Sequence, residues 1–253
     1  MRQKSRSSGT AAKEPARRNG GKLTAEEIRA LRLFNTTGSR ISHGPSRFED
    51  VLELTKNRCI LNLDRCAGFF DDVAKIIRRH GMENQILMKS KPTRDAIARI
   101  ADSEAAGCMY IPILNETSEG WEMVQKSGLN VVGAELTFAS EESPLMREDF
   151  MGKLHREGLA VWVNALVYDY EVRLTAGHDD DVSVTGDPAD GWGWLIERGA
   201  DIIQTDWTGL LHRYLEGRGL AEPGMTDIRG MQEKIKEKKY KMRKESKLCL
   251  KEK

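Results

Sequence analysis

Six short runs rich in β-branched and other apolar residues recur between residues 46 and 217, and a segment of helical periodicity follows each one. The runs are "CILNLD" (59–64), "QILMKS" (85–90), "MYIPIL" (109–114), "NVVGAELTF" (130–138), "LAVWVNAL" (159–166) and "DIIQTD" (201–206). Alternation of this kind restricts the chain to parallel strands joined by right-handed crossovers, as an open doubly wound sheet or as a (β/α)8 barrel. Between the strands, "GFFDDVAKIIRRHG" puts Phe70, Val73 and Ile77 on one helix face, and "TRDAIARIADSEAAG" reads as a second helix built on Ile97 and Ile100.

No glycine fingerprint follows the first strand, where "LDRCAGFF" offers nothing to seat a pyrophosphate, and this argues against a dinucleotide-binding sheet. With 253 residues and 39% hydrophobic content the chain can bury the core of one barrel-sized domain, placed at residues 23–220. Residues 1–22, with seven Lys/Arg, one Glu and few large apolar side chains, read as disordered. Residues 221–253 read as a basic tail; its last 25 residues hold eleven Lys/Arg and four Glu, which leaves 22 basic and 34 acidic residues between 23 and 228. No aromatic interleaving accompanies the basic charge, so the tail reads as solvated and nucleic acid is not an expected partner. No apolar run is long enough to span a bilayer or serve as a secretory signal, so the sequence as written reads as cytoplasmic. Cys59, Cys66, Cys108 and Cys249 match no zinc spacing and read as free thiols.

Polar residues recur at or near the strand ends: Asp64, Lys89, Glu135, Asn164 and Asp206. Parallel strands gather such groups at one mouth, where a (β/α)8 enzyme carries its chemistry. Lys89 there suits a phosphate oxygen, Glu135 and Asn164 suit a polyol, and Asp206 suits capping of the helix beginning near Thr208. Trp162, Trp192 and Trp207 either wall the pocket or pack against helices. His80, His155 and His212 lie in or at the ends of helical patterns and read as surface residues.

The succession "SRFEDVLELTKNRCILNLDR", "ILMKSK", "MYIPIL", "GLAVWVNAL" and "WGWLIERGADIIQTDWTGLLHRYLEGRGL" resembles the glycerophosphodiester phosphodiesterase family over roughly residues 20–220. "RNGGKLTAEEIRALRL" resembles the region just after that family's second catalytic histidine. The resemblance implies a TIM barrel and metal-dependent hydrolysis of small glycerophosphodiesters to glycerol 3-phosphate and an alcohol. It implies Ca²⁺ or Mg²⁺ held by carboxylates, with two histidines as acid and base. The family's HRG and E-x-D motifs, on its first two strands, have no counterpart among the six strands here. The chain is thus expected to be a barrel lacking its first two strands, inactive as a remnant or active through substitutes, and exported if a preceding segment is missing.

By the same resemblance Asp64 matches a metal carboxylate on the third strand of the family; read from the residues alone, it equally suits capping of the next helix. The family's histidines have no assigned counterpart, and His43 in "SHGPS" is a superficial match to HRG with no strand before it. In "GHDDD", Asp179, Asp180 and Asp181 form a loop on the predicted active face, either offering oxygens to a hard cation or staying solvated.

Overall fold

The computed structural model describes residues 23–35, 37–167 and 171–221, the side chains of 148 and 149 aside. Residues 1–22, the tail beyond 221 and Cys249 lie outside that range, and so do the expectations for them. The chain divides after Val51 into two compact units.

In the first unit, helix α1 (Ala25–Ala30) opens with a capping box. The Glu27 amide donates to Thr24 Oγ1, and the Glu27 carboxylate accepts from the Thr24 amide. A short antiparallel bridge joins Phe34 to Arg40, and the Leu33 amide donates to the His43 carbonyl. Helix α2 (Phe48–Thr55) carries the division between the units.

The second unit is an α/β layer built on six parallel strands, ordered as they occur in the chain: β1 (Leu61–Leu63), β2 (Ile86–Ser90), β3 (Met109–Asn115), β4 (Gly133–Thr137), β5 (Ala160–Asn164) and β6 (Ile202–Gln204). All six expected strands are present, and the parallel order satisfies the barrel-type reading. Register runs Asn62↔Leu87, Leu87↔Met109, Ile113↔Glu135, Glu135↔Trp162 and Asn164↔Gln204. Among the described residues β1 and β6 are not paired with each other, so the sheet is open.

Alternation along the strands sorts the side chains onto two faces. Ile86, Met88, Tyr110, Leu114, Ala134, Leu136, Val161 and Val163 occupy one face, all nearly inaccessible. On the other, Leu87, Met109, Ile111 and Trp162 form a cluster that Ile60, leading into β1, and Ile202, on β6, both join. This apolar layer runs from edge to edge of the sheet, whose six strands curl into a half-barrel with this face concave.

The crossover helices follow the expected chemistry. In α3 (Phe70–His80) Phe70, Ala74 and Ile77 are buried, Asp71 and Asp72 stand in the first turn, Arg78 and Arg79 in the last, and Gly81 closes it at φ 61°. Helix α4 (Arg94–Ala101) is capped by Thr93 Oγ1, which accepts from the Ala96 amide. The helix expected through residue 107 stops at Ala101, and a single 3₁₀ turn, Glu104–Gly107, follows. Ser103 causes the break: its hydroxyl donates to the Ile100 carbonyl and accepts from the Ala105 amide, which competes with continuation of the helix.

Gly133 sets the spacing of β4 and β5. A Cβ there would collide with the Ala160 carbonyl oxygen on the neighbouring strand. Gly133→Ala is expected to cost about 1–3 kcal/mol, read from the urea unfolding midpoint. An unchanged midpoint would show that the strands separate freely.

Candidate functional site

The carboxyl ends of the strands place Lys89, Glu135 and Asn164 on the concave face together with Trp162, and the sheet brings the first two into contact. Lys89 Nζ donates to Glu135 Oε2 at 2.7 Å across the intervening β3, and the two side chains are only 3% and 5% exposed. The ammonium also sits 4.5 Å from the centre of the Trp162 ring, close enough for a cation–π contact. The two side chains are long enough to reach each other across β3, whose strand lies between theirs. Asn164 Oδ1 accepts from the Leu166 amide, turning the chain out of β5.

Three further polar groups lie along the concave face without a partner. Trp162 Nε1 and the side-chain oxygens of Asn62 and Gln204 are buried and make no hydrogen bond. Asn62 lies on β1 and Gln204 on β6, the two edge strands. Buried polar groups normally find a partner, so one donor and two acceptors on this face favour a polar guest.

The three adjacent aspartates separate sharply, and the expected loop is in fact the start of a helix. Asp179 caps α7 (Asp180–Thr185), its carboxylate accepting from the Val182 amide. Asp180, expected either to hold a cation or to be solvated, is 2% exposed and fully engaged. Its Oδ1 accepts from Trp192 Nε1 at 2.9 Å and Thr205 Oγ1 at 2.7 Å, and its Oδ2 accepts from the Asp206 amide at 2.9 Å. Asp180 thereby ties the end of β6 to α7 and to the turn before α8 (Trp194–Glu197). Asp181 lies in the first turn of α7.

Asp206 does not cap the helix after β6. In α9 (Thr208–Gly217) the N-cap is Trp207, with no side-chain cap bond, because the Asp206 backbone is drawn instead to Asp180. Asp64 likewise caps nothing: the next turn begins at Cys66 without a side-chain cap bond, and the Asp64 side chain is 60% exposed, 3.7 Å from Arg65. His43 is exposed in the first unit. Of the helix-end histidines only His212 is open to solvent. His80 and His155 are partly covered, bonded to Glu53 at 2.8 Å and to Asp201 at 2.9 Å. Trp192 is buried and Trp207 is 47% exposed.

Arg173 escaped the sequence reading. It lines a cavity of about 380 Å³ with Leu166, Val172, Leu174, Ala176 and Asp179, in the connection after β5. An isolated cation in a βα loop at the mouth of a parallel sheet was the available signal.

Among the described residues no three His, Cys, Asp or Glu side chains gather to hold a metal ion. Asp179 and Asp180 are engaged in capping and in the hub, and Asp64 is exposed beside Arg65.

Cys59, Cys66 and Cys108 are free. Burial pushes the thiols of Cys66 and Cys108 up to about 11, with the Asp64 carboxylate adding at Cys66 and that of Glu83 at Cys108. Near pH 8 both are held as thiols, so iodoacetamide should alkylate exposed Cys59 well before either of them, and their own rates should climb as pH rises toward the raised values. Peptide mass spectrometry after a short exposure checks this. Equal rates at the three sites would contradict the burial.

Among the described residues no helix is long and apolar enough to cross a membrane. The model of a family described as a domain of unknown function matches residues 110–215. No curated protein matches the chain. Among solved structures, the chain is similar to a glycerophosphoryl diester phosphodiesterase from Parabacteroides distasonis ATCC 8503, with a TM-score of 0.59 and 16% identity. The match covers 77% of this chain and 64% of that one, so the chain spans less than two thirds of that enzyme's length, and at this identity the likeness is one of fold.

Proposed function

We propose that the chain acts on small phosphodiesters at the concave face of its sheet, hydrolysing glycerophosphodiesters to glycerol 3-phosphate and an alcohol. The observation that carries this reading is the polar lining at the strand ends of a phosphodiesterase-like fold: a buried Lys89–Glu135 pair beside a Trp162 indole N–H that has no partner. In this reading the indole N–H donates to a substrate oxygen, the Asn62 and Gln204 side-chain oxygens accept from glycerol hydroxyls, and Glu135 orients the group that Lys89 faces. Lys89 spends its charge on Glu135, so the phosphate draws on Arg173, which stands at the mouth.

A second reading is favoured by a specific observation. The described residues gather neither a set of metal ligands nor a pair of histidines, which suits a module that binds a phosphodiester without cleaving it. One experiment separates the two. The purified chain is incubated with glycerophosphocholine, with Ca²⁺ or Mg²⁺ added and then with EDTA, beside an Asp64→Ala variant, and glycerol 3-phosphate is measured. Release that EDTA and Asp64→Ala abolish supports hydrolysis, with Asp64 contributing to an ion held partly by other groups. Saturable binding without release supports the binding module, and neither binding nor release rejects both.

A further inference from the structure

Asn164 and Gln204 are matched in register across β5 and β6, and alternation from Trp162 and Ile202 puts both side chains on the concave face. Asn164 Oδ1 accepts from the Leu166 amide. A backbone N–H only donates, so this bond fixes which end of the Asn164 amide is oxygen and turns its NH2 group the other way. Beside it, Gln204 Oε1 is buried and accepts from nothing. A donor and an acceptor thus stand on neighbouring strands without meeting.

Both residues are held from behind. The Ala165 amide donates to the Gln204 carbonyl, and the Ala165 carbonyl accepts from the Asp180 amide. The Asp180 carboxylate in turn holds the two residues that follow Gln204, through the Thr205 hydroxyl and the Asp206 amide. The hub therefore fixes the ends of β5 and β6 relative to each other, and with them the placement of the two amides.

We propose that Asn164 and Gln204 together read a single hydroxyl, and that this pair makes the site select phosphates of polyols over phosphates of alcohols that lack that hydroxyl. The inference rests on the function proposed above and adds to it the feature the ligand must carry. Neighbouring strands stand about 4.8 Å apart, so one oxygen about 2.8 Å from each amide bridges them at a roughly tetrahedral angle. A hydroxyl accepts from the Asn164 NH2 group and donates to Gln204 Oε1 at the same time. An ammonium only donates and an ether only accepts, so each satisfies one partner and opposes the other.

The surroundings suit an uncharged group. Among the residues of β1 to β6 on this face the charged ones are Lys89 and Glu135, which neutralise each other, while the phosphate draws on Arg173 at the mouth. A ligand without the hydroxyl leaves the two amides unbridged, and unmet hydrogen-bonding groups of this kind reject a deoxy analogue.

The test is calorimetric titration of the full chain with three ligands. Glycerol 3-phosphate is compared with 3-hydroxypropyl phosphate, which lacks the middle hydroxyl, and with 2-hydroxypropyl phosphate, which lacks the terminal one. In the wild-type chain one of the two analogues should bind about tenfold more weakly than glycerol 3-phosphate. Gln204→Met keeps the length of the side chain without its amide. This variant should bind glycerol 3-phosphate as weakly as wild type binds that analogue, and should no longer distinguish the two ligands. Equal affinity of the wild-type chain for all three ligands overturns the pair and leaves the proposed function standing, and so does an analogue penalty of unchanged size in Gln204→Met. No binding of any of the three by the folded wild-type chain rejects both.

If Gln204→Met does not fold, ¹H–¹⁵N spectra of the wild-type chain decide it. At equal saturation the side-chain NH2 resonances of Asn164 and Gln204 should shift further with glycerol 3-phosphate than with the weaker analogue, and the same shift with both overturns the pair.

Discussion

Asp180→Ala is expected to lower stability by about 3–5 kcal/mol. The carboxylate accepts three hydrogen bonds in a nearly inaccessible position, from the Trp192 indole, the Thr205 hydroxyl and the Asp206 amide. Truncation strands all three donors without water to replace the acceptor, at about 1–3 kcal/mol for each one left unmet, partly recovered by relaxation. Domains of this size are stable by about 5–15 kcal/mol, so the variant should unfold at a much lower urea concentration. Asp180→Asn keeps one oxygen but presents an amide donor where a second acceptor stood, and should fall between Asp180→Ala and wild type. A solvated metal-binding loop would behave in the opposite way: loss of Asp180 would leave the urea midpoint unchanged or raise it, by relieving repulsion among the three aspartates.

The second large effect concerns the buried ion pair. Lys89→Met alone leaves the Glu135 carboxylate without its cation, and Glu135→Leu alone leaves the ammonium stranded under Trp162; each should cost about 3–5 kcal/mol. Combining Lys89→Met with Glu135→Leu removes both charges together, and the double variant should recover most of that loss and fold near wild-type stability. Chemical denaturation of the three variants reads the cycle directly. Additive losses would mean that the pair is not coupled, and hence that Lys89 and Glu135 do not meet across β3 as described. The folded double variant keeps the barrel-type sheet and the Trp162, Asn62 and Gln204 groups assigned to substrate while removing the charged pair beside them.

The strands were legible because each is a short run dominated by apolar and β-branched residues, with its few polar residues mostly on one face, and bounded by polar or glycine-rich turns. Their parallel order followed from the helical segments between them. Edges were harder to place: Ser103 breaks a pattern that periodicity alone extends to residue 107, through a side-chain bond that hydrophobic spacing does not record.

The site was legible as a set of strand-end residues but not as a set of partnerships. Lys89 and Glu135 lie 46 residues apart, and only the sheet reveals that one neutralises the other. Three consecutive aspartates look alike in sequence, yet one caps a helix, one is a buried hub and one stands in the first helical turn. Asp206 looked like a cap because it precedes a helix that does begin at Thr208, but its backbone amide is held by Asp180 and the N-cap position falls to Trp207.

The central claim is that the concave face takes the glycerol phosphate part of a phosphodiester, and the indole N–H of Trp162 reports on it most directly. In a ¹H–¹⁵N spectrum of the full chain, added glycerol 3-phosphate should shift the Trp162 indole resonance downfield and saturably, as a buried donor gains its first acceptor. The shift should need more ligand in the Lys89→Met, Glu135→Leu variant, which loses the orienting carboxylate of Glu135. A Trp162 indole that stays in place in the folded wild-type chain at saturating glycerol 3-phosphate would contradict the assignment of this face as the working site.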